Sequence, residues 1–380
     1  MWSTALAISS LLIWSLVIIL PWRSWSTRER LDSSAATTLD AAQDLSDITV
    51  LIPARDEADT IATVLESVYR QGDGLHVVLV DDQSSDATRD VASTFKDRGL
   101  RIISGAPLPD GWAGKLWALE QGRQYLETPY TLLLDADIRL TPGILATLRD
   151  KAMTEGLQFI SLMARLRMQT FWERLLLPAF IYFFKMMYPF RLSNNPRFKR
   201  IAAAAGGCIL LETSALRQIG GFASVRNALI DDCALAARIK AAGFHTWIGL
   251  THSIISMRPY DRLGTIWNMV ARSAYTQLHY SIMLLLLTTT IFFIAFFWPL
   301  AGLFSLKTDV IIYSVVAILL MMAAYIPILR YYRVPVYYAI MMPFIGSLFL
   351  AMTWTSALRY WSGRRSLWKG RVYNKTMGSG

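Results

Sequence analysis

Cysteine is nearly missing from this chain. Cys208 and Cys233 are the two present in 380 residues, and their spacing fits neither a metal site nor a disulfide framework, which agrees with a reducing compartment. Histidine is nearly as scarce: the four do not cluster in sequence, and His252, near a strand end, reads as structural. No Gly-x-x-x-x-Gly-Lys-Ser/Thr loop occurs, and the long apolar stretches hold no acidic residue. Both absences argue against a nucleotide-driven transporter or flippase. Acidic residues also stop before the last stretch of chain, which carries Arg359, Arg364, Arg365, Lys369, Arg371 and Lys375 unopposed.

Apolar residues are what the chain has in excess. They make up 54% of it, alongside a formal charge of +10, a combination too apolar for an ordinary soluble enzyme. Stretches 1–22, 281–306, 310–329 and 334–358 are uncharged and reach the roughly 20 residues that a helix needs to cross the hydrocarbon core. The first reads as an uncleaved anchor, since no basic residue precedes Arg23 and Trp22-Arg23 is a poor cleavage site. Arg23, Arg28 and Arg30 follow it and place the next domain on the cytoplasmic side. The expected organisation is an anchor at 1–22, a linker at 23–47, a catalytic domain at 48–260, an interfacial segment at 261–280, a membrane region at 281–358 and a basic tail at 359–380. Three crossings after a cytoplasmic domain would put that tail outside, against its charge. Stretch 334–358, broken by Pro343 and Gly346, is therefore a candidate for a re-entrant or interfacial element.

Between the apolar stretches the pattern alternates. Residues 48–52, 76–80, 101–104 and 131–134 read as short buried strands, and 60–69, 86–95 and 116–125 as helices. That order means a parallel sheet covered by helices, which binds ligands at the carboxyl ends of its strands. Pro53-Ala54-Arg55-Asp56-Glu57, Asp81-Asp82 and Asp135-Ala136-Asp137 all fall at such ends. Asp135 and Asp137, one residue apart, project to the same side of a strand tip. They offer hard oxygen donors to Mg²⁺ or Mn²⁺.

These motifs, in this order, resemble the inverting family 2 glycosyltransferases, over roughly residues 48–250. The resemblance implies the GT-A nucleotide-diphosphosugar fold, a Rossmann-like and mostly parallel sheet, here with membrane helices at both ends. Gly111-Trp112-Ala113-Gly114-Lys115-Leu116-Trp117-Ala118-Leu119 and Trp368-Lys369-Gly370-Arg371 look like the hopanoid-associated membrane branch. Carotenoid and ceramide glycosyltransferases are similar at a greater distance.

Carried onto this sequence, the resemblance gives Pro53, Arg55 and Glu57 to the nucleotide, and one of Asp81 and Asp82 to the uracil ring N–H. The other of that pair is expected to cap its loop. Lys115 is a point charge for the diphosphate. Asp135 and Asp137 match the metal motif, with Asp135 also beside the donor. Asp232 matches the general base, with Asp231 as its donor-side neighbour; a Glu is usual at that first position. Helix capping would also explain at least one of these two acids. Gly206 and Gly207 match the acceptor-side wall, although the small-residue run before them would also suit helix packing. Arg272 is retained on the acceptor side from a motif of processive relatives, but without its tryptophan, which implies transfer of one sugar.

The implied reaction moves a sugar from a UDP-sugar to a lipid, a hopanoid first, with carotenoid, ceramide-like or polyprenyl phosphate acceptors as alternatives. A noncatalytic lipid- or nucleotide-binding protein, or a flippase, is the competing class. Segment 168–191, rich in aromatics with sparse charges, reads as an interfacial element, with a buried core helix as the alternative. A nucleic-acid partner is not expected, because an anionic membrane and a diphosphate account for the positive charge.

Overall fold

The computed structural model describes residues 2–33 and 43–363, and the backbone of Leu367–Trp368 and Arg371–Val372. The basic tail beyond 363, including the side chains of the 368–371 motif, and residues 34–42 of the expected linker lie outside the described residues. In chain order the principal helices are Trp2–Ile19 (α1), Ile61–Tyr69 (α2), Gly114–Arg123 (α3), Phe171–Met187 (α4), Asp231–Ala241 (α5), Leu263–Ala271 (α6), Ile282–Gly302 (α7), Thr308–Tyr331 (α8) and Met342–Trp361 (α9).

Two compact units divide the chain. The first, built mainly from Glu29–Arg167 and Leu192–Arg258, is organised on one eight-stranded sheet. Its strands are Ile48–Ala54 (β1), His76–Asp81 (β2), Leu100–Ser104 (β3), Tyr130–Leu134 (β4), Ile138–Leu140 (β5), Phe159–Arg165 (β6), Cys208–Glu212 (β7) and Thr246–Ser256 (β8). They lie in the order β3-β2-β1-β4-β7-β6-β8-β5. From β3 to β4 every pairing is parallel, as the alternating pattern predicts. Beyond β4 the sheet is mixed: β7 runs antiparallel to both β4 and β6, β6 pairs parallel with β8, and β5 closes the edge antiparallel to β8. Four of the seven pairings are parallel, as expected of a mostly parallel sheet, and the three antiparallel ones all lie beyond β4.

Burial explains why the strands read as unbroken apolar runs. Every residue of β1 is buried, with Val50 and Ile52 in one core layer and Leu51 in the other. A sheet covered on both faces gives no alternation of polar and apolar residues. Part of the expected linker is built into this unit: the N–H of Leu31 donates to Leu250, and that of Leu250 to Glu29, at 2.9 Å each.

The second unit holds Met1–Arg28, Met168–Arg191 and Pro259–Arg365. Segment 168–191, placed within a continuous 48–260 domain by the sequence, groups here with the helices. The cause is visible in its charges. Glu173 is buried and accepts the N–H groups of Gln169 and Thr170 at 2.9 Å and of Tyr260 at 3.1 Å. Lys185 is buried too and donates to the Ser26 carbonyl. With both charges satisfied internally, α4 is a buried helix, the alternative to an interfacial one. Four stretches of this unit, α1, α7, α8 and Val336–Trp361, are long and apolar enough to cross a membrane. Leu12, Leu16, Met283, Leu287, Ile312 and Leu319 stand exposed along them.

Candidate active site

At the carboxyl ends of β1 and β2 two loops are stapled together. Asp56 accepts from the N–H of Ser85 at 2.7 Å and from its hydroxyl at 3.1 Å. Asp86 accepts from Ala58 at 3.1 Å, and the Thr88 hydroxyl takes the Glu57 N–H at 2.7 Å. Asp56 and Gln83 hold φ of 51° and 57°, left-handed backbone that costs on the order of 1 kcal/mol or more for such residues and needs this support. Asp81 caps its own loop by accepting the Ser84 N–H at 3.1 Å. Asp82 is fully buried, and its carbonyl accepts from Arg55 at 2.5 Å. Of the Asp81/Asp82 pair, Asp81 is thus the one that caps.

The second half of the site hangs from β4. Lys115, in the first turn of α3, lies 2.6 Å from Asp135 and 3.3 Å from the Gly206 carbonyl, to which it donates. Gly206 ends a run of small residues that is extended chain, not a helix. The run is pinned by side chains: the Ser193 hydroxyl takes the Ala203 N–H at 2.9 Å, and that of Ser161 takes the Ala205 N–H at 2.8 Å. A methyl group at Gly206 would stand 3.3 Å from both Asp232 Oδ2 and Lys115 Nζ. Absence of a side chain there is what lets the lysine and the acid share one space. Asp232, in the first turn of α5, has its Oδ1 fixed by the Cys233 N–H at 2.7 Å. Its Oδ2 is thereby turned toward Gly206.

Charges in this cluster shift one another. Burial alone would pull the Lys115 ammonium down, but Asp135, Asp231 and Asp232 outweigh it and hold it well above its usual value. Burial pushes Asp135 up, against the pull of Lys115. Burial and then the Asp231 charge push Asp232 up to about 7, with the Cys233 N–H and Lys115 opposing.

Arg258, just past β8, was not anticipated from the sequence. It reaches Asp137 at 3.0 Å and Glu57 at 3.7 Å, tying the tip of β4 to the loop after β1. The Thr60 hydroxyl joins the same corner by donating to the Ala136 carbonyl at 2.9 Å. The signal available was a cation directly following an apolar strand, at the same sheet edge as the acids.

Asp135 and Asp137 fit a divalent cation by donor type. Each is a hard carboxylate, and each is balanced by a monocation, Lys115 or Arg258. Mg²⁺ in particular is commonly held by one or two carboxylates plus substrate phosphates. Among the described residues no group of three or more His, Cys, Asp and Glu gathers as a ligand set. Because Arg258 and a metal would compete for Asp137, Arg258→Met should tighten Mn²⁺ binding about tenfold, which is 1.4 kcal/mol. Calorimetric titration of the purified protein checks it, and weaker binding would show that Arg258 supports the site instead.

The structure therefore brings together Arg55, Glu57, Asp81, Asp82, Lys115, Asp135, Asp137, Gly206, Asp231 and Asp232 along one edge of the sheet. Pro53 lies within β1, buried. Gly207 packs against Ile138, where a methyl group would stand 3.1 Å away, and its carbonyl takes the Asp135 N–H at 3.0 Å. Arg272 belongs to the helical unit, exposed at the end of α6. His252 has its backbone N–H on Asp32, at 2.5 Å.

Comparison with known proteins agrees with this geometry. Residues 49–220 match the family model described as Glycosyl transferase family 2. The 4,4'-diaponeurosporenoate glycosyltransferase of Staphylococcus haemolyticus (strain JCSC1435) is 30% identical over 95 residues, and that of Staphylococcus aureus (strain USA300) is 33% identical over 92. Each alignment covers 24% of this chain and 24% of the relative, so about a quarter of those proteins is matched. A mannosyltransferase from Pyrobaculum calidifontis, solved in complex with GDP-Man and Mn²⁺, superposes over 96% of this chain and 100% of its own. Its TM-score is 0.59 at 17% identity, a likeness of fold. Residues 49–220 thus match a glycosyl transferase family 2 model, and the mixed α/β sheet that holds them is of the GT-A type.

Proposed function

We propose that the protein is a membrane-bound inverting glycosyltransferase that moves one sugar from a UDP-sugar to a terpenoid lipid. The observation that carries this reading is the gathering of Lys115, Asp135 and Asp232 around Gly206. The acceptor oxygen attacks the anomeric carbon while its proton passes to Asp232, general-base assistance that contributes about 10²–10⁴-fold. The bond from that carbon to the diphosphate oxygen breaks on the opposite face, and the nucleoside diphosphate leaves. Lys115 lies where it can meet the charge growing on that diphosphate. A divalent cation held by Asp135 and Asp137 would supply further Lewis-acid stabilisation of the leaving group. Asp82 is the acceptor for a uracil N–H, reached when the loops over its buried carboxylate part.

The acceptor class draws on two sources. The named relatives glycosylate diaponeurosporenoate, a carotenoid, and this favours a carotenoid over a hopanoid. The 111–119 and 368–371 motifs favour the hopanoid. Both lipids are terpenoids, and the apolar unit provides a membrane setting for either.

The test is transfer of label from UDP-[¹⁴C]glucose, UDP-[¹⁴C]N-acetylglucosamine and GDP-[¹⁴C]mannose into the organic phase, with Mn²⁺ and either carotenoid or hopanoid extracts. Label from a UDP-sugar should enter one extract and be lost with EDTA. Nucleotide binding with no turnover of any donor would identify a noncatalytic binder. Transfer from GDP-mannose alone would overturn the role given to Asp82.

A further inference from the structure

We propose that Val336–Trp361, although long enough to span, enters and leaves the bilayer on the same side, so that the described residues cross three times. The helical unit fixes this internally. At one end of it Thr4 donates to Asp309 at 3.2 Å, so α1 and α8 begin together and run parallel. Gly302 meets Ser314 so closely that a methyl group would overlap the hydroxyl, which brings the end of α7 to that same place. Trp14 donates to the Ala295 carbonyl at 2.9 Å, part-way along. The opposite end therefore holds the exit of α1, the start of α7 and the exit of α8 at Tyr331.

Val336–Trp361 starts a few residues after Tyr331. It then runs antiparallel to α7, contact by contact. Gly346 lies against the Phe296 ring, Trp354 donates to Thr289 at 3.0 Å, and Ala357 packs with Leu285. Its last turns rest on residues that precede α7. Ser356 accepts the Tyr275 N–H at 3.0 Å, Arg359 donates to Asn268 at 2.8 Å, and the Tyr360 and Tyr280 rings stack at 4.4 Å. From the level of Leu285 to that of Phe296 is about 16 Å at 1.5 Å per residue, roughly half of a 30 Å hydrocarbon core. Gly346 lies at that depth, α9 begins before it at Met342, and the segment dips into the core and returns. Of the four apolar stretches it is also the most buried within the unit, at 44% against 17% for α1.

Charge gives an independent reason. Arg23, Arg28, Arg330, Arg333 and Arg359 all lie at the end where α1 and α8 exit, whereas the other end has Lys307 beside Asp309. Basic residues concentrate on the cytoplasmic side. With three crossings, both the chain leaving α1 toward β1 and the chain leaving α9 toward the basic tail emerge there. The conflict between the tail's charge and four crossings disappears.

Single-cysteine labelling tests the crossing number without presuming orientation. Leu306→Cys lies in the fully exposed loop between α7 and α8, and Ser362→Cys is exposed just past α9; Cys208 and Cys233 are buried and give the unlabelled background. An impermeant maleimide is applied to intact cells and to inverted vesicles. The two cysteines should react from opposite sides, at least tenfold more strongly from one side than the other. Reaction of both from the same side would mean that Val336–Trp361 crosses, and would overturn the proposal. Alkaline-phosphatase fusions after Leu306 and at the C-terminus should differ in activity, one active and one inactive; equal activity of the two overturns it even if a cysteine variant misfolds.

Discussion

Asp232→Asn should lower turnover on a hydroxyl-bearing lipid by about 10²–10⁴-fold, with donor binding unchanged. Asparagine keeps the shape and still offers an oxygen to the Cys233 N–H, so the loss isolates the proton-accepting function. The pH profile gives a second readout. With its carboxyl pushed up to about 7 by burial and by Asp231, the base is half protonated near neutrality. Only the ionised form accepts a proton, so kcat/KM should fall tenfold per pH unit below about 7 and level off above it. The residual rate of the variant should be flat across that range. A carboxylate acceptor, such as the one named for the staphylococcal relatives, arrives already ionised and needs no base. Retained activity of Asp232→Asn on such a lipid, with loss on an alcohol, would identify the acceptor chemistry. Equal activity of both proteins on an alcohol would remove Asp232 from the mechanism.

Lys115→Met should be as damaging, for a different reason. Its ammonium is 2.6 Å from Asp135 and faces Asp231 and Asp232 as well. Removing it leaves three carboxylates with no cation between them. Like charges about 4 Å apart cost on the order of 4 kcal/mol at an effective dielectric of 20. The variant should relieve that by holding a proton. Loss of a neighbouring positive charge favours the neutral acid, so the pH midpoint of Asp232 should move upward, by about one unit or more. Donor KM should rise together with a fall in kcat/KM of roughly 10³-fold, a loss of about 4 kcal/mol. An unshifted profile would show that Lys115 and Asp232 are not electrically coupled.

How far such residues can be read from sequence depends on where their partners lie. Strands β1 to β4 and the helices between them follow from short apolar runs at regular intervals, and the acids at their ends follow from the sheet rule. The second half does not announce itself. β6 and β7 are hydrogen-bonded neighbours, yet the chain between them passes through α4 in the other unit. Alternating order is lost there. Arg258 is silent for a related reason: Glu57 and Asp137 stand far back in the chain, and only folding brings them to it. Segment 168–191 misleads through its charges. Glu173 and Lys185 suggest a wet face, but backbone groups satisfy both in the interior.

The two halves of the site are built from different materials, and a consequence follows for the order of events. The loops after β1 and β2 are joined by side-chain-to-backbone hydrogen bonds within the protein. Around Asp135 and Asp137 the structure is held by ionic contacts that an arriving anion and its counterion must exchange. A nucleotide would have to part those loops to reach the buried Asp82, whereas at the phosphates it would exchange ions. Ionic strength would tune the second step far more than the first.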